Sequence, residues 1–199
     1  MNSHDKSDSQ VMCEYTVDAV NGRYETTNFR EFPCIGKSDL KLMHTLAKAG
    51  PDHGKFLRMI NVTCDIVAPI YWVAEHDTYK VATVRNSCSF MHTGVNKAFT
   101  KDDFSLEGFE SWPAAMVDLV IDELNKLRDE YIKTNDPKYF IAIRQLLPQG
   151  YNIRYTWQGN FEVLRNIYFA RKNHRLPEWR AFCAWILSLP NFREIVLGE

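Results

Sequence analysis

The chain has 199 residues, 45% of them hydrophobic and 25% charged, with a formal net charge of −1. That length encloses a core without covalent staples, and that charge excludes a global attraction to nucleic acid or to an anionic membrane. No apolar run approaches the ~20 residues of a membrane span.

The opening MNSHDKSDSQ lacks a hydrophobic signal region. A cytoplasmic chain is therefore expected, with residues 1–12 a disordered tail and 13–199 a single domain. The five cysteines are odd in number, widely spaced and without a C-x-x-C pair, which suits free thiols in a reducing compartment. The histidines show no HExxH or similar ligand spacing, so no metal site is expected.

CEYTVDAV (13–20) alternates as a strand does, and Asn21-Gly22 follows as a turn. Ser38-Asp39 suits the cap of a short helix over LKLMHTLAKAG, ended by Gly50-Pro51. FLRMINVTCDIVAP mixes β-branched residues with period-two alternation and reads as a strand. PIYWVAEH is either its continuation or a helix opened by Pro69. After Ser111, Val117, Val120, Leu124, Leu127 and Tyr131 recur at three- and four-residue steps, so a long helix with its apolar stripe in the core is predicted.

Asn135-Asp136-Pro137 turns the chain into KYFIAIRQLLP, which Pro148 and Gly150 break. Helical spacing resumes from about Trp157. LPEWRAFCAWILSLP makes a last helix with Trp179, Phe182, Cys183 and Ile186 on one stripe. Strands come first and helices later, which favours α+β, a mixed or antiparallel sheet packed with long helices.

Two regions carry polar groups that could do chemistry. HDTYKVATVRNSCSFMH (76–92) reads as a ligand loop or as a solvated strand. Cys88 lies within it, but a lone cysteine without a placed base reads as filler. Further on, Arg144, Asn160, Asn166 and Arg171 interrupt strongly apolar text. On an ideal helix Asn160 and Arg171 would share one direction, ~16 Å apart, a spacing for an elongated ligand or for two ligands end to end. Arginine grips phosphate in a fork, and asparagine both donates to and accepts from a ring edge. The plainer reading places these residues on the outer face of an amphipathic helix.

RQLLP (144–148), YTW (155–157), NFEVLRNIYFAR (160–171) and EW (178–179) resemble, in order, a stretch of the flavin-dependent thymidylate synthases. That family reads approximately Arg-x-x-x-Pro-x-x-x-Tyr-Thr, then Asn-x-Arg-Ser-Leu-x-Asn-Phe-x-x-x-Arg, then Gln-Trp-Glu. Arg144, Pro148, Asn160, Leu164, Asn166 and Arg171 match without a gap. Upstream, HGKFLRMINVTCDIVAPIYWVAEH resembles the segment before the family signature Arg-His-Arg-x-x-Ser-x-Asn-Glu-x-Ser-x-Arg-Tyr.

Within that signature Asn86 and Ser89 match, while Tyr79, Lys80 and Val81 replace Arg-His-Arg and Ser87 replaces the glutamate. A one-residue shift sets Thr78, Tyr79 and Lys80 there instead, with Glu75 in the place of a glutamine. Glu162 stands where the family has an arginine.

The resemblance implies reductive one-carbon transfer to C5 of dUMP, with FAD as cofactor and methylenetetrahydrofolate and NADPH as co-substrates, in a homotetramer with sites between subunits. It implies that Arg144, Arg171, Ser87, Ser89 and Glu75 hold the nucleotide, Ser89 and Arg171 also aiding its activation. Lys80, Asn86, Asn160, Asn166 and His174 would face the flavin. His174 also suits the end of the long helix, where a basic ring complements the last carbonyls. The replaced signature residues leave two alternatives open: a binding or sequestering protein without turnover, or a related pyrimidine-modifying reaction such as hydroxymethyl transfer.

Overall fold

The computed structural model describes residues 7–20, 23–88, 94–108 and 111–199. It divides into two units, Met1–Ile60 with Cys183–Glu199, and Asn61–Phe182.

In the first unit, strands β1 (Gln10–Val20) and β2 (Arg23–Cys34) pair antiparallel, with a shift of register between Thr16 and Val17. The expected turn at Asn21-Gly22 lies outside the described residues. Strand β1 starts inside the stretch 1–12 that composition assigns to a tail. Helix α1 (Lys37–Lys48) starts one residue before Ser38, with Gly36 at its N-cap and no cap from that residue's own side chain.

The cap comes from afar. The Asp8 carboxylate accepts from the backbone N–H groups of Ser38 (2.8 Å) and Asp39 (3.0 Å), satisfying donors that a helix start leaves open. FLRM, expected as strand, is a 3-10 helix, Gly54–Met59, which buries Phe56 and Leu57. Its local alternation gave way to the burial of two neighbouring apolar side chains, which a strand would have sent to opposite faces.

Near the C-terminus a single π-helical turn, Arg193–Leu197, packs against α1 and buries Ile195. Gly198 follows at φ +76, where a Cβ would sit 2.7 Å from Nε2 of His44, so both the backbone and the space demand glycine there.

The second unit is built on an antiparallel sheet of order β3-β5-β4, with β3 (Asn61–Pro69), β4 (Val84–Ser87) and β5 (Asn152–Asn160). The middle strand comes last in the chain. Its Tyr155, Trp157 and Gly159 are buried while Arg154 and Gln158 are exposed, so period two holds to Gly159 and the strand to Asn160. The helical spacing expected from Trp157 therefore begins four residues later. Gly159 is required by the Trp157 indole, which folds so closely over it that any side chain would collide.

Pro69 is the N-cap of helix α2 (Ile70–His76), which settles the open reading of PIYWVAEH. Helix α3 (Ser111–Thr134) presents Leu124 fully buried, with Val117, Val120, Leu127 and Tyr131 partly buried around it. Asn135 takes φ +52, and the Asp136 carboxylate caps helix α4 (Pro137–Leu146) through the Lys138 N–H at 3.0 Å. Ile121, Leu124 and Ile143 close a core with Val95, Phe99 and Phe104.

Helix α5 (Phe161–Arg171) buries Phe161, Leu164 and Ile167. Helix α6 (Pro177–Ser188) buries Trp179, Phe182, Cys183 and Ile186, the stripe read from the sequence. Among the described residues no helix is long and apolar enough to cross a membrane.

A second core is aromatic and has a histidine at its centre. His76 is 2% exposed and stacks on Trp72 at 4.7 Å, with Tyr155, Trp157, Trp179 and Phe182 around it. Tyr155 Oη and His76 Nδ1 share a 3.1 Å hydrogen bond, and Nε2 has no hydrogen-bond partner among the described residues. Burial pushes the imidazole down to about 4, because a charged ring in this apolar shell would lose its hydration.

The linkage follows. A base whose folded pKa lies below its unfolded value binds protons more readily when unfolded, so stability is full above pH 6.5 and falls as pH drops towards 4. The loss approaches about 3 kcal/mol over that window. Thermal unfolding followed from neutral pH to about pH 4.5 should show this decline, and His76→Phe should flatten it. A wild-type slope in His76→Phe would mean that another group controls the acid limb.

Candidate functional site

Helix α2 ends with two neighbours that face different surroundings. His76 enters the aromatic core, and Glu75 stays at its edge, half-buried. On Oε2 of Glu75 three groups converge: Arg171 Nη1 donates at 3.0 Å, Trp179 Nε1 donates at 2.9 Å, and His174 Nε2 lies at 3.7 Å. The Leu176 N–H donates to His174 Nδ1 at 3.2 Å, which assigns the ring proton to Nε2, on the side of Glu75.

Arg171 is the last residue of α5. Its Nε donates to the Tyr79 hydroxyl at 2.9 Å, and its guanidinium carbon sits 4.6 Å from the Trp179 ring centre. Tyr79 packs edge-on against Trp179 at 5.8 Å. The Tyr71 hydroxyl donates to Glu178, tying α2 to the start of α6, and burial followed by that carboxylate pushes the Tyr71 phenol well above its ordinary range. Aromatic faces and a charge pair thus hold the guanidinium in place. Its Nη2, and Oε1 of Glu75, have no partner among the described residues.

Beside this cluster is a concavity of ≈190 Å³ lined by Thr78, Tyr79, Val81, Val163 and Asn166. It is smaller than the ~300–1,000 Å³ usual for a whole ligand, so it accepts one ring or one end of a larger molecule. A second concavity of ≈170 Å³, among Phe104, Leu106, Met116, Val117 and Val120, is walled almost wholly by apolar groups.

The residues singled out from the sequence do not line one cavity. Asn166 lines the concavity, and Arg171 reaches it through Tyr79. Glu75 and His174 join Arg171 as described. Asn160 is buried at the end of β5, and its side-chain oxygen accepts from the Val163 N–H at 3.1 Å, the N-cap of α5. Arg144 is exposed on α4, and Lys80, Asn86 and Ser87 are exposed. Ser89 lies outside the described residues.

The stretch 76–92 divides accordingly. Its start lines the site, while residues 84–87 form an edge strand whose Arg85 pairs with Asp77 at 2.5 Å and lies 4.2 Å over the Tyr155 ring. Asn86 sits opposite Thr156, whose hydroxyl donates to Asp65 at 2.7 Å. That hydroxyl and the Arg154 guanidinium hold the Asp65 carboxyl below its usual range.

Sequence reasoning set Tyr79 on the signature and Trp179 in the EW match, but gave neither a role at the site. The available signal was Glu75, a carboxylate in mainly apolar text, which needs donors. Cys64 carries no nucleophile, since burial and then the charge of Asp65 push its thiol up to about 11. Among the described residues no three His, Cys, Asp or Glu side chains gather as metal ligands would.

The antiparallel sheet with its long helices is the α+β fold of the flavin-dependent thymidylate synthases. Two crystal structures of the enzyme ThyX from Helicobacter pylori, each with FAD and dUMP, match this chain with a TM-score of 0.62. The match covers 80% of this chain and 81% of theirs, at 16% sequence identity, which establishes the fold. No family profile matches the sequence, and no curated protein matches it.

The cap role of Asn160 is separable from a ligand role. Asn160→Ala should lower stability by about 1 kcal/mol and Asn160→Asp should restore most of it, as read by urea unfolding, with no change in ligand affinity for Asn160→Asp. A ligand defect in the stable aspartate variant would place Asn160 at the site after all.

Proposed function

We propose that this chain binds a pyrimidine nucleotide at the concavity between Tyr79 and Asn166, beside Arg171. The observation that supports it is the donor set there. A phenol ring, a carboxamide and a hydroxyl line one recess, and the Tyr79 phenol there accepts from the Arg171 guanidinium, on a fold whose Helicobacter counterpart was crystallised with FAD and dUMP. One aromatic face with an amide and a hydroxyl nearby suits a planar heteroaromatic ring, whether pyrimidine or flavin.

In its catalytic form this reading is reductive one-carbon transfer to C5 of dUMP. FAD would supply the reducing equivalents when bound, with NADPH and methylenetetrahydrofolate as co-substrates. Asn166, His174, Lys80 and Asn86 would hold the flavin. Arg171, Glu75, Ser87, Ser89 and Arg144 would serve the nucleotide, with Ser89 and Arg171 nearest its activation. Arg171 would donate from Nη2 to a ligand oxygen, and the Tyr79 ring would exclude water from one side. Because the recess takes only part of a nucleotide, a homotetramer, in which neighbouring copies complete each site, belongs to the same proposal, as does a cytoplasmic location.

A second reading, binding or sequestration without turnover, is favoured by two expected ligand contacts being committed within the fold. Glu75 faces Arg171, and Asn160 caps α5. A change of reaction to hydroxymethyl transfer would use the same nucleotide contacts.

Purified protein that absorbs near about 450 nm, or takes up added FAD, supports the catalytic form. Colourless protein stabilised thermally by dUMP supports binding without turnover. Arg171→Ala should weaken dUMP binding about tenfold or more, the loss of one charge-assisted contact, while circular dichroism stays as in the parent. Unchanged affinity in a folded Arg171→Ala protein would move the site elsewhere.

A further inference from the structure

The aromatic core reaches the recess through Tyr79. That ring lines the recess and packs on Trp179 at 5.8 Å. Trp179 packs on Trp72 at 4.9 Å and on His76 at 6.0 Å. His76 stacks on Trp72 and lies 6.1 Å from the Tyr155 ring, which is fully buried. Phenols and indoles are the aromatic side chains that give up an electron most readily, and here they are in contact from the recess to the centre of the core.

Packing accounts for the rings but not for where their protons point. Losing an electron makes a phenol or an indole strongly acidic, so its oxidation in an apolar core needs a base already in place. Two of these rings have one. Trp179 Nε1 donates to the Glu75 carboxylate at 2.9 Å, and the Tyr155 hydroxyl meets Nδ1 of His76 at 3.1 Å. With the phenol donating, only the Nε2 proton of His76 is left over among the described residues. With the imidazole donating, the phenolic proton and the Nε2 lone pair would both be stranded, so the phenol is the donor. Burial keeps that phenol protonated at rest, well above its ordinary range. Arg85, 4.2 Å over the Tyr155 ring, opposes a lasting positive charge on it, while Asp77 pairs with Arg85 at 2.5 Å, and the two act on His76 with opposite signs.

We infer that this core conducts an oxidising equivalent inward from the recess and holds it on Tyr155. A one-electron oxidant at the recess, the excited state of a flavin or another planar aromatic oxidant, takes an electron through Tyr79 and Trp179. The Tyr155 phenol supplies that electron and passes its O–H proton to Nδ1 of His76. The products are the reduced oxidant, a neutral tyrosyl radical and an imidazolium, and an electron returned to Tyr155 brings the proton back. The nucleotide reading is not required, because the recess serves only as the point of entry.

The chain has nine tyrosines, so variants must assign the radical. The whole chain is illuminated with tris(bipyridine)ruthenium and a sacrificial acceptor, which generates ruthenium(III) as a diffusing one-electron oxidant. Transient absorption and electron paramagnetic resonance then follow the tyrosyl signal. Wild type should give a long-lived neutral tyrosyl radical and, in D2O, a deuteron hydrogen-bonded to its oxygen. Tyr155→Phe and His76→Phe should each abolish the long-lived signal, Tyr71→Phe should keep it, and Tyr79→Leu should slow its appearance.

A wild type without a long-lived radical overturns the inference, as does a radical that survives in Tyr155→Phe or in folded His76→Phe. Formation at the wild-type rate in Tyr79→Leu does the same. Should His76→Phe fold poorly, the deuteron coupling in wild type decides, since its absence removes the imidazolium and the inference with it. No arm measures dUMP or FAD binding, so failure here is distinguishable from failure of the nucleotide reading.

Discussion

A single carboxylate oxygen gathers the chemistry of the second unit. Oε2 of Glu75 receives Arg171 from the end of α5 and Trp179 from the start of α6, with His174 of the connecting turn close by. A half-buried carboxylate needs donors of this kind, since taking an ionised group from water without them is costly. Once they are in place, the guanidinium stays over the Trp179 ring and the Tyr79 hydroxyl has a fixed partner. The partners lie together in residues 171–179, about a hundred positions from Glu75, so the cluster forms only after the fold does.

The adjacent residue explains why Glu75 stays in place. His76 is locked between Trp72, Tyr155, Trp157 and Phe182, and one turn of α2 therefore has no freedom to rotate. Trp179 belongs to both groups: its ring packs on Trp72 and His76 while its N–H holds Glu75. Core and site share one wall, an arrangement that positions polar groups through packing rather than through their own weak, solvent-exposed contacts.

Much of the fold was legible in the sequence because periodicity there reflects burial directly. The stripe of α3, the stripe of α6 and the α+β order were all read from spacing. The misreadings came where a local pattern had two solutions. Around Trp157, bulky residues two apart and a following helix overlap, and only the close approach of Trp157 to Gly159 in the strand separates them. At α1 the cap was sought in Ser38 and Asp39, whereas Asp8 supplies it from some thirty positions away.

The site was legible in part. Arg171 and Asn166 stand out as polar residues in apolar text, but the same criterion selected Asn160, whose oxygen serves the helix start. Tyr79 and Trp179 fell within the resemblance but received no role, because aromatic residues read as core until their neighbours are known.

The indole of Trp179 is both an emitter of ultraviolet fluorescence and a donor to the Glu75 carboxylate. Trp72 and His76 pack on its ring, and the Arg171 cation lies over it. Any molecule that draws Glu75 or Arg171 towards itself must alter the field across that ring. The protein thereby contains its own optical gauge of occupancy, packed against the Tyr79 ring that lines the recess.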